Sequence, residues 1–110
     1  MNFIFFGAPN FASVILEKLI KCGFMPIAVV TNPDRPVGRK QVTMPSPVKF
    51  LISNLQFTIK ERIEVLQPEK LDNDFIQKLK SIDSEFAILA AYGKIIPKEI
   101  IDLFPKGIIV

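Results

Sequence analysis

Asn2-Phe3-Ile4-Phe5-Phe6-Gly7-Ala8-Pro9-Asn10-Phe11-Ala12 opens the chain with an apolar run that stops at a glycine and gives way to a helical pattern. A short run of this kind, apolar at every position, reads as a strand buried on both faces, and such a strand needs cover above and below. Asn10 is expected to cap the helix that follows. That helix carries Phe11, Ile15, Leu16, Leu19 and Ile20 on one face, and Gly23 supplies its stop.

The same alternation continues. Pro26 precedes a second apolar run from Ile27 to Val30. Thr31 to Pro45 reads as one long loop of about fifteen residues, a length usually kept for function or disorder. Ser46 and Pro47 supply a cap and a first-turn proline for a helix through about Leu55, with Val48, Leu51, Ile52 and Leu55 inward. Ile63 to Leu66 is a third strand, closed by Gln67-Pro68. Asp72 or Asn73 starts a helix with Phe75, Ile76, Leu79 and Ile82 inward. Phe86 to Ala91 is a fourth strand, Pro97 opens a short helix to about Leu103, and Gly107 to Val110 begins a fifth strand. Strands apolar on both faces, alternating with helices, predict an α/β fold: a doubly wound, mainly parallel sheet with helices on both faces.

The 110 residues fit one small domain. Apolar residues make up 49%, and the mean hydropathy of +0.33 is high for a domain that leaves much of its surface exposed. The last residues fall inside the fifth strand, so residues 1–110 are read as the incomplete N-terminal part of a larger domain, a truncated product or a fragment. No apolar run approaches the ~20 residues that cross a bilayer, so no membrane partner is expected. One cysteine excludes an internal disulfide and agrees with a reducing cytoplasm, and Cys22 is assigned to packing. The chain has no histidine, which excludes a Ser-His-Asp triad, a Cys-His pair or a Cys/His zinc site within it. No metal is expected, and no residue of the chain is assigned a catalytic role.

Charge is not spread evenly. From Asp34 to Lys49 there are four basic residues and one acidic residue, which leaves ten of each sign elsewhere from totals of 14 and 11. The whole net charge of +3 therefore belongs to the long loop and the start of the next helix. A basic loop on a neutral body suits a phosphate-bearing partner, and a solvated connection is the plainer alternative.

Two turns could hold ligands. Gly7-Ala8-Pro9-Asn10-Phe11-Ala12 lies at a strand-to-helix turn but lacks the second and third glycines of a dinucleotide-binding loop. Thr31-Asn32 stands where an acidic residue would hold a ribose, so a plain tight turn is the simpler reading. Ala90-Ala91-Tyr92-Gly93-Lys94-Ile95-Ile96-Pro97 follows the fourth strand at its carboxyl end, where open α/β sheets bind ligands. Its backbone could face a flat apolar ligand, or Tyr92, Ile95 and Ile96 could be ordinary core.

Taken in order, "FFGAPNFA", "TNPDRPVGR", "MPSPVK", "VLQPEKL" and "AAYGKIIPKEIIDL" resemble the methionyl-tRNA formyltransferase family over nearly the whole chain. The resemblance implies transfer of a formyl group from 10-formyltetrahydrofolate to the amino group of methionyl initiator tRNA. It places Arg39, with Arg35 and Lys40 beside it, on the tRNA acceptor arm. It places Lys94 (through its backbone), Ile95, Ile96 and Ile101 around the pterin of the folate. Where the family usually continues with Gly and two lysines after Arg39, Lys40-Gln41-Val42 stands here, which implies an altered tRNA contact. The family's catalytic Asn aligns with Val110, and its His, its "SLLP" segment and a distant Asp belong further on. The resemblance thus implies a further partner, the missing C-terminal part of the same protein, and an inactive chain without it. Another folate-dependent formyltransferase, acting for example on an amino sugar nucleotide, and a non-catalytic remnant or binding module are the alternatives.

Overall fold

The computed structural model describes residues 2–110. Twelve elements follow in order: β1 (Phe3–Gly7), α1 (Asn10–Lys21), β2 (Ala28–Val30), β3 (Arg35–Val37), β4 (Val42–Met44), α2 (Pro47–Ser53), α3 (Phe57–Lys60), β5 (Glu64–Leu66), α4 (Asn73–Lys80), β6 (Phe86–Ala90), α5 (Lys98–Ile101) and β7 (Ile108–Ile109). Five strands form one parallel sheet in the order β5-β2-β1-β6-β7.

β1 is the centre because it pairs on both edges, Ile4 with Ala28 on one side and Ala87 on the other. Its side chains alternate between two cores, as a pleated strand requires. Phe3 and Phe5 meet Ala12 and Leu16 of α1 and Val48 and Ile52 of α2. Ile4 and Phe6 meet Phe75, Ile76 and Leu79 of α4 and Ile100 of α5. Ile4, Phe5 and Phe6 are buried essentially completely. Each such side chain contributes roughly 1.5–3 kcal/mol on burial, whereas the edge strands β5 and β7 carry no fully buried residue.

Helix ends follow local chemistry. Ser46 caps α2 by accepting from the Lys49 N–H at 3.2 Å, and Asp72 caps α4 by accepting from the Phe75 N–H at 3.2 Å. α1 closes on Gly23 at φ +88°, with the Gly23 N–H on the Ile20 carbonyl at 3.0 Å and the Phe24 N–H on the Leu19 carbonyl at 2.9 Å. Its start differs from expectation. Pro9 takes the cap position, and Asn10 is the first helical residue without a capping side-chain bond. Phe11 is 60% exposed, because Ala12 is the residue that faces the sheet beside Gly7. Cys22 is exposed at the helix end rather than packed.

The long connection after β2 is not all loop. β3 and β4 form an antiparallel hairpin, Arg35 opposite Met44 and Val37 opposite Val42. Every one of its strand residues is exposed, so no burial pattern announced it.

Gly7 sits where nothing larger fits. A Cβ there would lie 2.7 Å from the Ala12 Cβ, 2.8 Å from the Ala90 carbonyl oxygen and 2.8 Å from the Phe5 ring. Two of these neighbours are held by the sheet and by α1, so they cannot yield cheaply. Gly7→Ala is expected to destabilise the domain by about 1–3 kcal/mol through overpacking. Urea denaturation checks this: the midpoint should fall with the slope unchanged.

Candidate functional site

In main-sheet order the chain winds outward from β1 in two directions, to β2 and β5 on one side and to β6 and β7 on the other. The carboxyl ends of β1 and β6 therefore lie at the point where strand order reverses, the general place for ligands in open α/β sheets. A crevice of about 390 Å³ occupies it. Ala8 and Pro9 after β1, Ala91 to Gly93 after β6, and Arg35, Val37 and Met44 of the hairpin contribute to its walls. Ala91 at φ 53° and Gly93 at φ 88° turn the backbone away from β6. Such angles are routine for glycine and uncommon for alanine. The N–H groups of Tyr92 to Ile96 make no backbone–backbone hydrogen bond among the described residues.

The hairpin is fastened at its base. Thr31 at the end of β2 is fully buried, and its Oγ1 shares a 2.6 Å hydrogen bond with the Ser46 Oγ. The Lys49 ammonium donates to both Asp34 carboxylate oxygens at 3.1 and 3.3 Å. The Gln67 amide donates to Asp34 Oδ1 at 3.0 Å and to the Asn32 carbonyl at 3.1 Å. Gln67 first, then Lys49, hold the Asp34 carboxyl below its ordinary range. A depressed carboxylate pKa stabilises the fold above the unfolded value and is lost only as pH falls through the folded one. The clasp thus survives across the neutral range.

The hairpin tip carries the charge. Gly38 at φ 76° and Gln41 at φ 51° bracket Arg39 and Lys40, and the Gln41 N–H and side-chain amide both donate to the Gly38 carbonyl, at 3.2 and 2.8 Å. Arg39 and Lys40 are exposed, and neither makes an ion pair among the described residues. Arg35 stands lower, on the crevice wall, close enough to Lys94 to help depress its pKa, after the larger effect of burial. The structure thus brings Arg35, Arg39 and Lys40 onto one hairpin at one rim.

The loop after β6 divides. Tyr92 is core, 2% exposed and edge-on to Phe6 at 5.6 Å between ring centres. Ile95, at 93% exposure, is not core, and Ile96 is half-buried against the α4 side. Ile101, at the end of α5, is 44% exposed. None of Lys94, Ile95, Ile96 and Ile101 contributes to the crevice wall. The Lys94 ammonium reaches sideways, donating to the Pro68 carbonyl at 2.8 Å and the Glu69 carbonyl at 3.1 Å. Sequence reading missed Gln67, Lys49 and Met44 at this site. Gln67 lies 35 residues from Asn32, and only the β2–β5 pairing brings them together.

All 110 residues match a family described as formyl transferase. Among curated proteins, the methionyl-tRNA formyltransferase of Caldicellulosiruptor saccharolyticus is 44% identical over 99% of this chain and 34% of its own length. Those of Campylobacter lari and Buchnera aphidicola are 43% and 42% identical, over 94% and 99% of this chain and 33% of theirs. The chain spans about a third of the length of the curated relatives it matches. None of the helices among the described residues is long and apolar enough to cross a membrane.

Tyr92 offers a direct check on the crevice wall, because it is the one tyrosine of a chain without tryptophan. Burial pushes its phenol up to about 12 from the ordinary 10.0. Tyrosinate absorbance should rise near 12 in the folded chain and near 10 once unfolded. The folded state holds its proton longer, so stability should be flat below pH ~10 and fall from there toward ~12. A folded-state transition near 10 would place the ring in solvent. With Tyr92 and the strand ends arranged around one crevice, and with the match unbroken from residue 1 to residue 110, the chain belongs to the formyl transferase family.

Proposed function

We propose that this chain is the N-terminal part of an enzyme that transfers a formyl group from 10-formyltetrahydrofolate to the amino group of methionyl initiator tRNA. The observation that carries this reading is the basic hairpin at the rim of the switch-point crevice, in a chain whose relatives are named methionyl-tRNA formyltransferases. Arg39 and Lys40 at the tip, with Arg35 on the wall, bind the tRNA acceptor arm. A guanidinium offers a planar fork of donors to phosphates or base edges.

The folate lies against the loop after β6. The open N–H groups of 92–96 and the exposed Ile95 and Ile101 fit a flat ring with polar edges, so the residues present suit this donor. Lys94 contributes through its backbone, and Ile95, Ile96 and Ile101 supply apolar cover. The amine attacks the formyl carbon, a bond forms between them, and the bond from that carbon to the folate nitrogen breaks. That step needs donors for the developing oxyanion and a group that takes the amine proton and returns one to the departing folate nitrogen. This chain binds and orients; those groups come from the rest of the protein. The 110 residues alone are proposed to have no turnover, and formylation by a preparation containing only them overturns this.

In the complete protein, Arg39→Ala should weaken initiator tRNA by about 1–3 kcal/mol where the side chain reads a base edge. A phosphate-only contact should instead lower the salt dependence by roughly one charge. Arg35→Ala and Lys40→Ala should cost less, and folate binding should hardly change in any of the three. tRNA affinity across a salt series measures this. Wild-type affinity of Arg39→Ala at every salt would leave the hairpin a solvated connection and remove the tRNA assignment.

A further inference from the structure

Gln67, Pro68 and Glu69 lie between the two regions assigned above and are bonded to both. The two N–H donors of the Gln67 amide are spent on the hairpin side, on the Asn32 carbonyl at 3.1 Å and on Asp34 Oδ1 at 3.0 Å. The next two carbonyls, of Pro68 and Glu69, both accept from the Lys94 ammonium, at 2.8 and 3.1 Å. The backbone just before them is pinned to the sheet, since the Thr31 N–H donates to the Leu66 carbonyl at 2.9 Å. We infer that Gln67-Pro68-Glu69 is a strap that fixes the basic hairpin and the loop after β6 in one relative geometry, with Gln67 and the Lys94 side chain as positioning residues.

The residue types suit the task. A neutral amide can serve a carbonyl and a carboxylate together, whereas Glu at 67 would set a second negative charge against Asp34. Pro68 has no N–H of its own and a fixed φ, so the strap presents carbonyls without the backbone freedom of another residue. An ammonium has three donors, enough for two carbonyls at once. The strap also opposes a real force. Arg35 lies close enough to Lys94 to help lower its pKa, after the larger effect of burial, so the strap holds two like charges near one another.

Magnitudes say what kind of tie this is. These bonds are exposed or partly so, and bonds of that kind add little to global stability. Their effect is therefore geometric. The acceptor substrate held by the hairpin and the donor held beyond β6 must meet within bonding distance, and small misplacements between reactants are costly. Consequences for turnover rest on the formyl-transfer reading; the strap itself does not.

The test uses the complete protein carrying this segment, with Gln67→Ala, Lys94→Met, Lys94→Arg and the double variant Gln67→Ala/Lys94→Met. kcat should fall about tenfold in Gln67→Ala, which loses both of its hydrogen bonds to the hairpin, with KM for folate unchanged. Lys94→Met should lower kcat in the same way, and Lys94→Arg should restore most of it, since the guanidinium keeps the donors. The double variant should cost no more than the worse single one, because either change releases the same strap. Amide hydrogen exchange gives a readout independent of activity. Residues 35–44 should exchange faster in Gln67→Ala while β1 and β6 keep their protection. Unchanged exchange of 35–44, or costs that simply add in the double variant, overturns the strap. Loss of protection in β1 and β6 as well would make Gln67 a residue of general stability and also overturn it. A wild-type protein that neither binds nor formylates initiator tRNA would sink the proposed function, and the exchange experiment would still judge the strap.

Discussion

A glycine hydrogen at the end of β1 sets the spacing of the whole domain. Gly7 lies under Ala12 and beside the Ala90 carbonyl at distances no side chain tolerates. That contact lets α1 begin directly on the sheet and lets β6 pair with β1 along its full length, from Phe3 with Phe86 to Gly7 with Ala90. Because β2 leaves on one side of β1 and β6 enters on the other, the turns that follow them diverge. The crevice is the space between those turns. It exists because of topology, and Ala8 and Pro9, directly after Gly7, form part of its wall.

The elements that could be read from the sequence are those whose local chemistry and burial agree. β1, β2 and β6 are uninterrupted apolar runs, and α4 has both an Asp cap and three buried residues at helical spacing. Where the two signals part, the reading fails. Asn10 is a good capping residue, yet Pro9 already holds the extended backbone that a cap requires, so the helix starts one residue earlier than an Asn10 cap would place it. Phe11 has the right spacing for the core, but at the first turn of α1 it is Ala12 that faces the sheet, and Phe11 stays exposed. The β3–β4 hairpin was invisible for a different reason. Its residues are all exposed, and its register comes from the Gly38–Gln41 turn rather than from a face to bury.

The site shows the same division. Arg35, Arg39 and Lys40 stood out because charge can be counted along a chain, and the hairpin then gathers them. Tyr92, Ile95 and Ile96 could not be told apart in sequence, because apolar residues after a strand look alike whether they turn in or out. The positive φ of Ala91 decides it: the chain reverses there, burying the Tyr92 ring and leaving Ile95 in solvent. Gln67 was beyond reach, since its meaning depends on a carbonyl and a carboxylate more than thirty residues away.

Electrostatics then explains why the basic hairpin folds back at all. Four cations within sixteen residues would repel one another and favour an extended, wandering loop. Asp34 is the single acidic residue among them, and the structure spends it at the base, on Lys49, rather than at the tip. The charge that is neutralised is the one at the base of the hairpin, away from its tip. Arg39 and Lys40 make no ion pair among the described residues and stand at the far end, between Gly38 and Gln41 with their left-handed backbones. A carboxylate at the tip would have offset the charge of Arg39 and Lys40 where they stand together. Placing it at the base, and adding the neutral Gln67 amide in place of a second anion, ties the hairpin down and leaves the positive charge of its tip uncompensated.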